Sequence, residues 1–424
     1  MLKSNGIEVK NVREDSRYLS TSMHYEFELR DMDKFIEFTS QYSNLQLPPY
    51  ASRLLNSTIV GADLEYSNIP LTQALSLDIY PLSLSTEIMN DMKKTDESFY
   101  NYIKNFISKK GILYHINYNI VSEDFDGFIK DISENHTLKN SSKLLVNILG
   151  TSFSGNGSLI APELLQTDAQ KIMIKVLNAR EEMSINLSEF SSRSTFETRT
   201  TYNSFVKLKS ISLNTKDISA GDSSVNISDL ALNISSTTQA NKAQINSKSS
   251  CSNINIDSKI FNLNLSNFNY EIDMSDIDKD SLEEFIVLLS KLRTNNSARV
   301  FTKIKDTTLN MLSKGIKLDI KDLSLKNIKL NGDDLKGLSI KSTMILKEDK
   351  YLAKKIYYGP LFIAQNLDIN FNFKLSKKMF SKIASVTPMA IFTQRYAKSS
   401  GDDLIFDFTF IKGEFKVNSK APIK

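Results

Sequence analysis

The feature that most constrains this chain is a recurring skip in an otherwise strict two-residue alternation between Ser204 and Asp273. Alternating apolar and polar side chains is the period of a half-buried strand. Here Val206 and Leu208 are followed, after a step of three, by Ile211 and Leu213. Ile227 steps three to Leu230, Leu232 and Ile234, and Leu265 steps three to Phe268, Tyr270 and Ile272. Each step crosses a polar pair: Lys209-Ser210, Ser228-Asp229 and Ser266-Asn267. The pattern returns where Ile316, Leu318 and Ile320 pass over Lys321-Asp322 to Leu323 and Leu325, then over Lys326-Asn327 to Ile328 and Leu330. A step of three turns the buried set to the opposite face unless a bulge or bend absorbs a residue, which also increases twist. The expected class is α+β, mainly β: an elongated body of strongly twisted antiparallel sheets with bulges and peripheral helices.

With 424 residues, 41% of them hydrophobic, the chain has material for a real core. Lys and Arg number 53 against 49 Asp and Glu, a net charge of only +4, and no basic block tracks a phosphate backbone. No nucleic-acid partner is expected. Cys251 is the single cysteine, so no internal disulfide forms, and its Ser-rich setting reads as a small residue at a strand end. No apolar run approaches the ~18 residues that span a bilayer, and the N-terminus shows no signal-like apolar stretch.

Along the chain, Gly6 to Asn11 and Tyr18 to Leu29 read as strands, the second with Thr21, Met23, Tyr25 and Phe27 on one face and Ser22, His24 and Glu26 on the other. A short helix is expected at Met32 to Gln41, strands at Ser52 to Leu64 and Leu71 to Leu84, and a helix at Thr95 to Lys110 closed by Gly111. Ile112 to Val121 alternates, Ser141 to Gly150 is ambiguous, Ser154-Gly155-Asn156-Gly157 reads as a loop, and Lys171 to Leu177 as a strand. Asp280 to Arg293 carries a helical stripe, with Ser281 and Glu284 at capping-box spacing. Strands follow at Gly315 to Leu346, turning at Asn331-Gly332, and at Ala364 to Leu375; helices are expected at Ser376 to Ala384 and from Pro388. The last hairpin turns at Lys412-Gly413, which sets Phe410 opposite Phe415 and Phe408 opposite Val417 on one face. The boundary signal is the stretch Gly150 to Gly157. It gives 1–150 as an N-terminal α+β region and 151–424 as a β-rich C-terminal region, or a single continuous body.

Chemistry is sparse. The three histidines are far apart in sequence: His24 and His115 on polar strand faces, His136 in a loop. The lone Gly155-Asn156-Gly157 lacks the lysine and spacing of a phosphate cradle. The acidic pairs Glu123-Asp124, Asp333-Asp334 and Asp402-Asp403 fall at turns, where adjacency does not supply opposed catalytic carboxylates. No catalytic, cofactor-binding or metal-ligating residue is assigned, and no cofactor is expected.

Four stretches resemble the YdgA-like family of bacterial envelope proteins, a domain of unknown function. They are Gly6-Ile7-Glu8-Val9 with Leu19-Ser20, Tyr114 to Ile120, Asp124-Phe125-Asp126-Gly127, and the ending Phe410 to Asn418 with its turn glycine and Val417-Asn418. Ser419 stands where the family often has glycine, and the family's His-Gly-Pro-like element is not found around Gly61 to Pro70. The resemblance implies a periplasmic body with an N-terminal inner-membrane anchor, other envelope proteins as partners, and no catalytic residues. The expected function is a non-catalytic periplasmic scaffold or interaction protein whose strand-face residues Leu213, Leu232, Leu263 and Leu265 are packed in a closed core. The alternative is a carrier that holds lipid in a β-groove along that face.

Overall fold

The structure is a computed structural model describing residues 5–36, 54–69, 74–139, 141–159, 161–217, 221–294 and 298–418. The chain divides into two compact units. The first comprises Met1–Glu197, Leu213–Ala220 and Ser290–Asn296; the second comprises Thr198–Ser212, Gly221–Leu289 and Ser297–Lys424. Both are built mainly on antiparallel strands with helices set among them, so the chain is α+β and mainly β, as expected. Among the described residues no helix is long and apolar enough to cross a membrane.

In the first unit, β1 (Ile7–Ser16), β2 (Ser20–Leu29), β3 (Ile59–Ser67), β4 (Ala74–Ser83), β5 (Tyr114–Asn119) and β6 (Asp124–Ile129) pair in sequence order. β6 then pairs with β9 (Thr151–Gly157), which pairs with the first half of β10 (Pro162–Leu177). The second half of β10 pairs with β8 (Lys143–Leu149), itself paired with β7 (Ile132–Thr137). β11 (Glu181–Thr198) lines the other edge of β10. The helix expected at Met32 is helical over 32–36; the remainder to Gln41 lies outside the described residues.

Two readings in this unit are corrected. Ser154 to Gly157 is strand, not loop, and lies within the first unit. The reason is a reciprocal fit between two paired strands. Phe153 lies over Gly127, where an added Cβ would sit 2.5 Å from its ring, and Phe125 lies over Gly155, at 2.4 Å. Each glycine is a seat for an aromatic ring on its neighbour, so it supports the sheet instead of breaking it. His136, likewise read as loop, lies in β7.

Between β4 and β5 run α1 (Thr86–Thr95) and α2 (Glu97–Ser108). Asp96 caps α2 by accepting a hydrogen bond from the Phe99 amide at 3.0 Å. The left-handed residue that ends it is Lys110 (φ 51°), one position before the expected Gly111. Gly111 instead makes room for the Phe106 ring.

The second unit contains most of β12 (Thr201–Asp217), then β13 (Ser223–Gln239), β14 (Lys242–Ser258) and β15 (Asn262–Asp278). Next come α3 (Lys279–Thr294), α4 (Ala298–Ser313), β16 (Ile316–Leu330), β17 (Asp333–Asp334) and β18 (Leu338–Leu346). After α5 (Leu352–Tyr358) come a 3₁₀ helix (Pro360–Asn366), β19 (Leu367–Ser376), α6 (Lys377–Val386) and a second 3₁₀ helix (Pro388–Tyr396). The unit ends with β20 (Lys398–Ser400), β21 (Asp403–Ile411) and β22 (Glu414–Val417). The pairing order is β13, β14, β15, β16, β18, β19, β21, and β20 and β22 share the far edge of β21. The last hairpin has the expected register, Phe410 opposite Phe415 and Phe408 opposite Val417. The cap of α3 differs from the sequence reading: Asp278, not Ser281, holds the helix start, its carboxylate accepting from the Ser281 amide at 2.9 Å.

The skips resolve into two devices. At Lys321-Asp322 the register shifts on both sides, between Glu271 and Ile272 on β15 and between Ile320 and Leu323 opposite β18, which is a bulge. At Ser228-Asp229 and Ser266-Asn267 no register is lost. Instead Asp229 and Asn267 each take a left-handed conformation, φ 52° in both. The flanking pairs place Asp229, Ser252, Asn267 and Lys326 at one level across β13 to β16, so the bends form a single crease. Lys209-Ser210 lies within β12 without a left-handed residue. The crease keeps the apolar residues together: Leu325 and Ile328, three apart, both belong to one hydrophobic cluster. Because a β-branched side chain at positive φ costs ~1–2 kcal/mol, Asn267→Val is expected to lower urea-unfolding stability by about that amount, and Asn267→Gly to leave it near wild type. Equal stability of the two variants would show that the bend is not held by a left-handed residue.

Candidate functional site

Alternation and register give the second unit's sheet an apolar face and a polar face. One row across it runs Ile234, Ser247, Ile272, Ile320, Ser342, Phe371, Phe408. The row beside it runs Leu232, Ser249, Tyr270, Leu323, Ile340, Phe373, Phe406. Helices cover both ends of this face. At one end Met379, Phe380 and Ala384 of α6 bury themselves with Ile328, Leu335, Leu375, Leu404 and Phe406. Ser376 starts α6 directly beneath, its hydroxyl accepting from the Met379 amide at 2.9 Å. At the other end Leu282 of α3 closes on Ala243 and Ile277, with Ile286 and Met311 packed against them. Of the four strand-face residues named from sequence, Leu263 and Leu265 pack against the α6 cluster. Leu232 is half-buried between the covered ends, and Leu213 is half-buried in the first unit.

The concavities described in this unit are lined by polar residues together with apolar ones, Leu325 and Leu338 in the first and Ile320, Phe371 and Phe408 in the second. One, of 560 Å³, is lined by Asn269, Ser324, Ser339, Lys374 and Asp403, with Lys374 and Asp403 ion-paired at 2.7 Å. The other, of 430 Å³, is lined in part by Asp319, Lys321, Lys341, Asn372 and Asp407. Their carboxylates, and Lys321, have partners: Lys321 pairs with Asp273, Asp319 with Lys317 at 2.6 Å, and Asp407 with Lys398 at 3.2 Å. Burial raises the proton affinity of Asp273 and Asp319, but the lysines beside them and the bonds from Asn246 and Thr343 outweigh it and hold both carboxyls below the usual range. Both carboxylates are thus held ionised beside their lysines.

The histidines are distributed in a way the sequence did not disclose. In the first unit, β2 to β5 align His24, Asp63, Asp78 and His115 in one cross-strand row. His24 Nδ1 bonds Asp63 at 2.6 Å, and His115 Nδ1 bonds Asp78 at 2.7 Å. Asp63 also accepts from Tyr80 Oη at 2.9 Å and from Lys110 Nζ at 2.6 Å, and the Lys110 ammonium lies 4.0 Å from the centroid of the Tyr80 ring. Tyr80 reaches Asp63 because its ring lies over Gly61, where an added Cβ would be 2.6 Å away. His136 is separate, stacked on Tyr102 of α2 at 4.2 Å, while Tyr102 Oη donates to Glu134 at 2.6 Å. Burial, with the Glu134 carboxylate, pushes the Tyr102 hydroxyl well above its usual range. Cys251 is buried in β14, 3.3 Å from the carbonyl oxygens of Ser228 and Asn253 at the crease. Among the described residues no group of three or more His, Cys, Asp or Glu is arranged to hold a metal ion.

No family model, no curated protein and no solved structure matches this chain.

Proposed function

We propose that the chain is a non-catalytic scaffold or interaction protein of the bacterial cell envelope. The observation that carries the non-catalytic reading is the use made of its polar and apolar groups. Apolar strand residues run under helices at both ends of the sheet, Leu263 and Leu265 at one and Ala243 and Ile277 at the other, and the carboxylates of the concavities and of the histidine row are bonded to lysines, asparagines or histidines. Such groups hold strands in register and stay bonded, whereas an active site keeps groups available to substrate. The envelope setting, with other envelope proteins as partners and an inner-membrane anchor, rests on the resemblance of Gly6 to Val9, Asp124 to Gly127 and Phe410 to Asn418 to the YdgA-like family.

A second reading has its own support. The middle rows, with Leu232, Ile234, Ile272 and Ile320, are half-buried between the helix-covered ends and offer apolar surface on which an acyl chain could lie. Native mass spectrometry of the chain purified from bacterial membranes separates the two. A scaffold is expected to fly without stoichiometric lipid, and Leu232→Asp to lower its stability by about 1–2 kcal/mol through loss of packing and a partly buried charge. Phospholipid that co-purifies with the wild type and is lost on Leu232→Asp at unchanged melting temperature would replace the scaffold with a lipid carrier.

A further inference from the structure

α6 seats one apolar face on the sheet, but its end and the 3₁₀ helix after it leave large apolar side chains exposed. Met379, Phe380 and Ala384 face the sheet, but Val386 is 80% exposed, Met389 76%, Ile391 56% and Phe392 67%. Four large apolar side chains within seven residues is a concentrated exposure, and contiguous patches of this kind mark a surface that something covers. A second apolar protrusion stands at the same end of the sheet. Ile260, at the tip between β14 and β15, is 90% exposed. The tip is joined to the β16 turn by Asn331, whose amide donates to the Asn262 carbonyl and whose side-chain oxygen accepts from the Asn262 amide, both at 2.8 Å. That turn in turn meets α6 through Lys382 and Asp333, 3.3 Å apart.

The charge of the segment identifies what fits. Residues 377–401 contain Lys377, Lys378, Lys382, Arg395 and Lys398 and no Asp or Glu. Lys382 and Lys398 are paired with Asp333 and Asp407, and Lys377 bonds the Gly401 carbonyl, which leaves the exposed Lys377, Lys378 and Arg395 to set the sign beside the apolar tip. Apolar side chains on a short helical protrusion, flanked by cations and lacking carboxylates, match an interfacial segment that sinks its apolar tip below the headgroups of an anionic bilayer. We infer that this end of the second unit, 383–395 together with the Ile260 tip, docks on an anionic lipid surface. A bilayer supplies both halves of the match, phosphate charge above and hydrocarbon below. The inference goes beyond the scaffold reading and concerns this end alone, so it holds for a closed sheet face and for a lipid-seating one.

The test is co-sedimentation of the full chain with vesicles of phosphatidylcholine alone and of phosphatidylcholine containing phosphatidylglycerol. Binding to the anionic vesicles is expected to exceed binding to the neutral ones about tenfold and to weaken as salt is raised. Ile391→Ser with Phe392→Ser is expected to reduce it about tenfold at unchanged melting temperature, since both side chains are exposed. Lys378→Glu with Arg395→Glu should reduce binding while preserving the fold, which keeps the charge argument open to failure independently of the apolar one. Equal partition into both vesicle types, no partition into either, or full binding by the Ser variant would overturn the inference. So would a dimer in sedimentation velocity that the Ser variant dissolves, because the patch would then belong to a second copy of the chain.

Discussion

Phe406→Ala is expected to cost about 3–5 kcal/mol in urea unfolding, the range for removing a buried aromatic ring from a well-packed core. Phe406 is 4% exposed and lies in the middle of the cluster that joins α6 to the sheet. Its ring centroid is 6.3 Å from those of Phe373 and Phe380 and 6.1 Å from that of Phe408. Leu375 and Leu404, 1% and 3% exposed, are paired in register on β19 and β21, so the cavity would open between two strands that are themselves fixed and cannot collapse around it. α6 would lose its main aromatic contact, and amide hydrogen exchange should rise first over 377–386. A cost below about 1 kcal/mol would mean that α6 is not seated on the sheet, and the covered end of the apolar face would have to be given up.

Most of the strand content was legible because the sheets carry their signal locally. Alternation over Leu404 to Val417 and a two-residue turn at Lys412-Gly413 determine the final hairpin without help from the rest of the chain, and its register agrees residue for residue. The skips were legible for the same reason. Their mechanism was not, because a bulge and a left-handed bend leave the same three-residue step in the sequence. Only cross-strand pairing separates Lys321-Asp322, where register shifts, from Asn267, where it does not.

What escaped the sequence depends on groups brought together from different strands. Gly155 reads as a loop residue until Phe125 is placed over it. α4 was missed because its inner stripe runs through Thr307 and Thr308, β-branched and polar, with Thr307 5% exposed and the Thr308 hydroxyl bonded back to the Ile304 carbonyl at 2.8 Å. The start of α3 was misassigned because Ser281 is a good cap by type, yet Asp278 stands one turn earlier at the end of β15 and is also bonded by Lys314 at 2.8 Å. The row His24, Asp63, Asp78, His115 was beyond reach of spacing altogether. Its members are separated by whole strands and meet only through three successive registers.

That row supports the second large effect. Asp63→Asn is expected to lower the stability of the first unit by about 1–3 kcal/mol, because a charged acceptor shared by His24, Tyr80 and Lys110 is replaced by a neutral one. The partners are partly exposed, so water recovers some of the loss and the effect should lie toward the lower end. Its pH dependence follows from three shifts. Burial would raise the Asp63 carboxyl, but bonds from Lys110, His24 and Tyr80 outweigh it and hold the carboxyl below its ordinary 3.8. The Asp63 carboxylate raises His24 above its ordinary 6.5 against the opposing effect of burial. Lys110 is disfavoured as a cation by burial, yet Asp63 raises it above 10.5. The depressed Asp63 contributes stability that is present above 3.8 and lost as pH falls through its lowered value. The raised His24 contributes stability that is present below 6.5 and lost as pH rises through its higher value. Both are therefore in full effect between about pH 4 and 6.5, with the Lys110 share persisting to alkaline pH. The difference in melting temperature between wild type and Asp63→Asn should be largest in that interval and narrow on either side. In the variant the His24 titration, followed by its ring proton shifts in NMR, should move down toward 6.5. A difference that is flat from pH 4 to 9, with His24 titrating unchanged, would show that the row is packed by shape alone and that Asp63 does not bind these groups by charge.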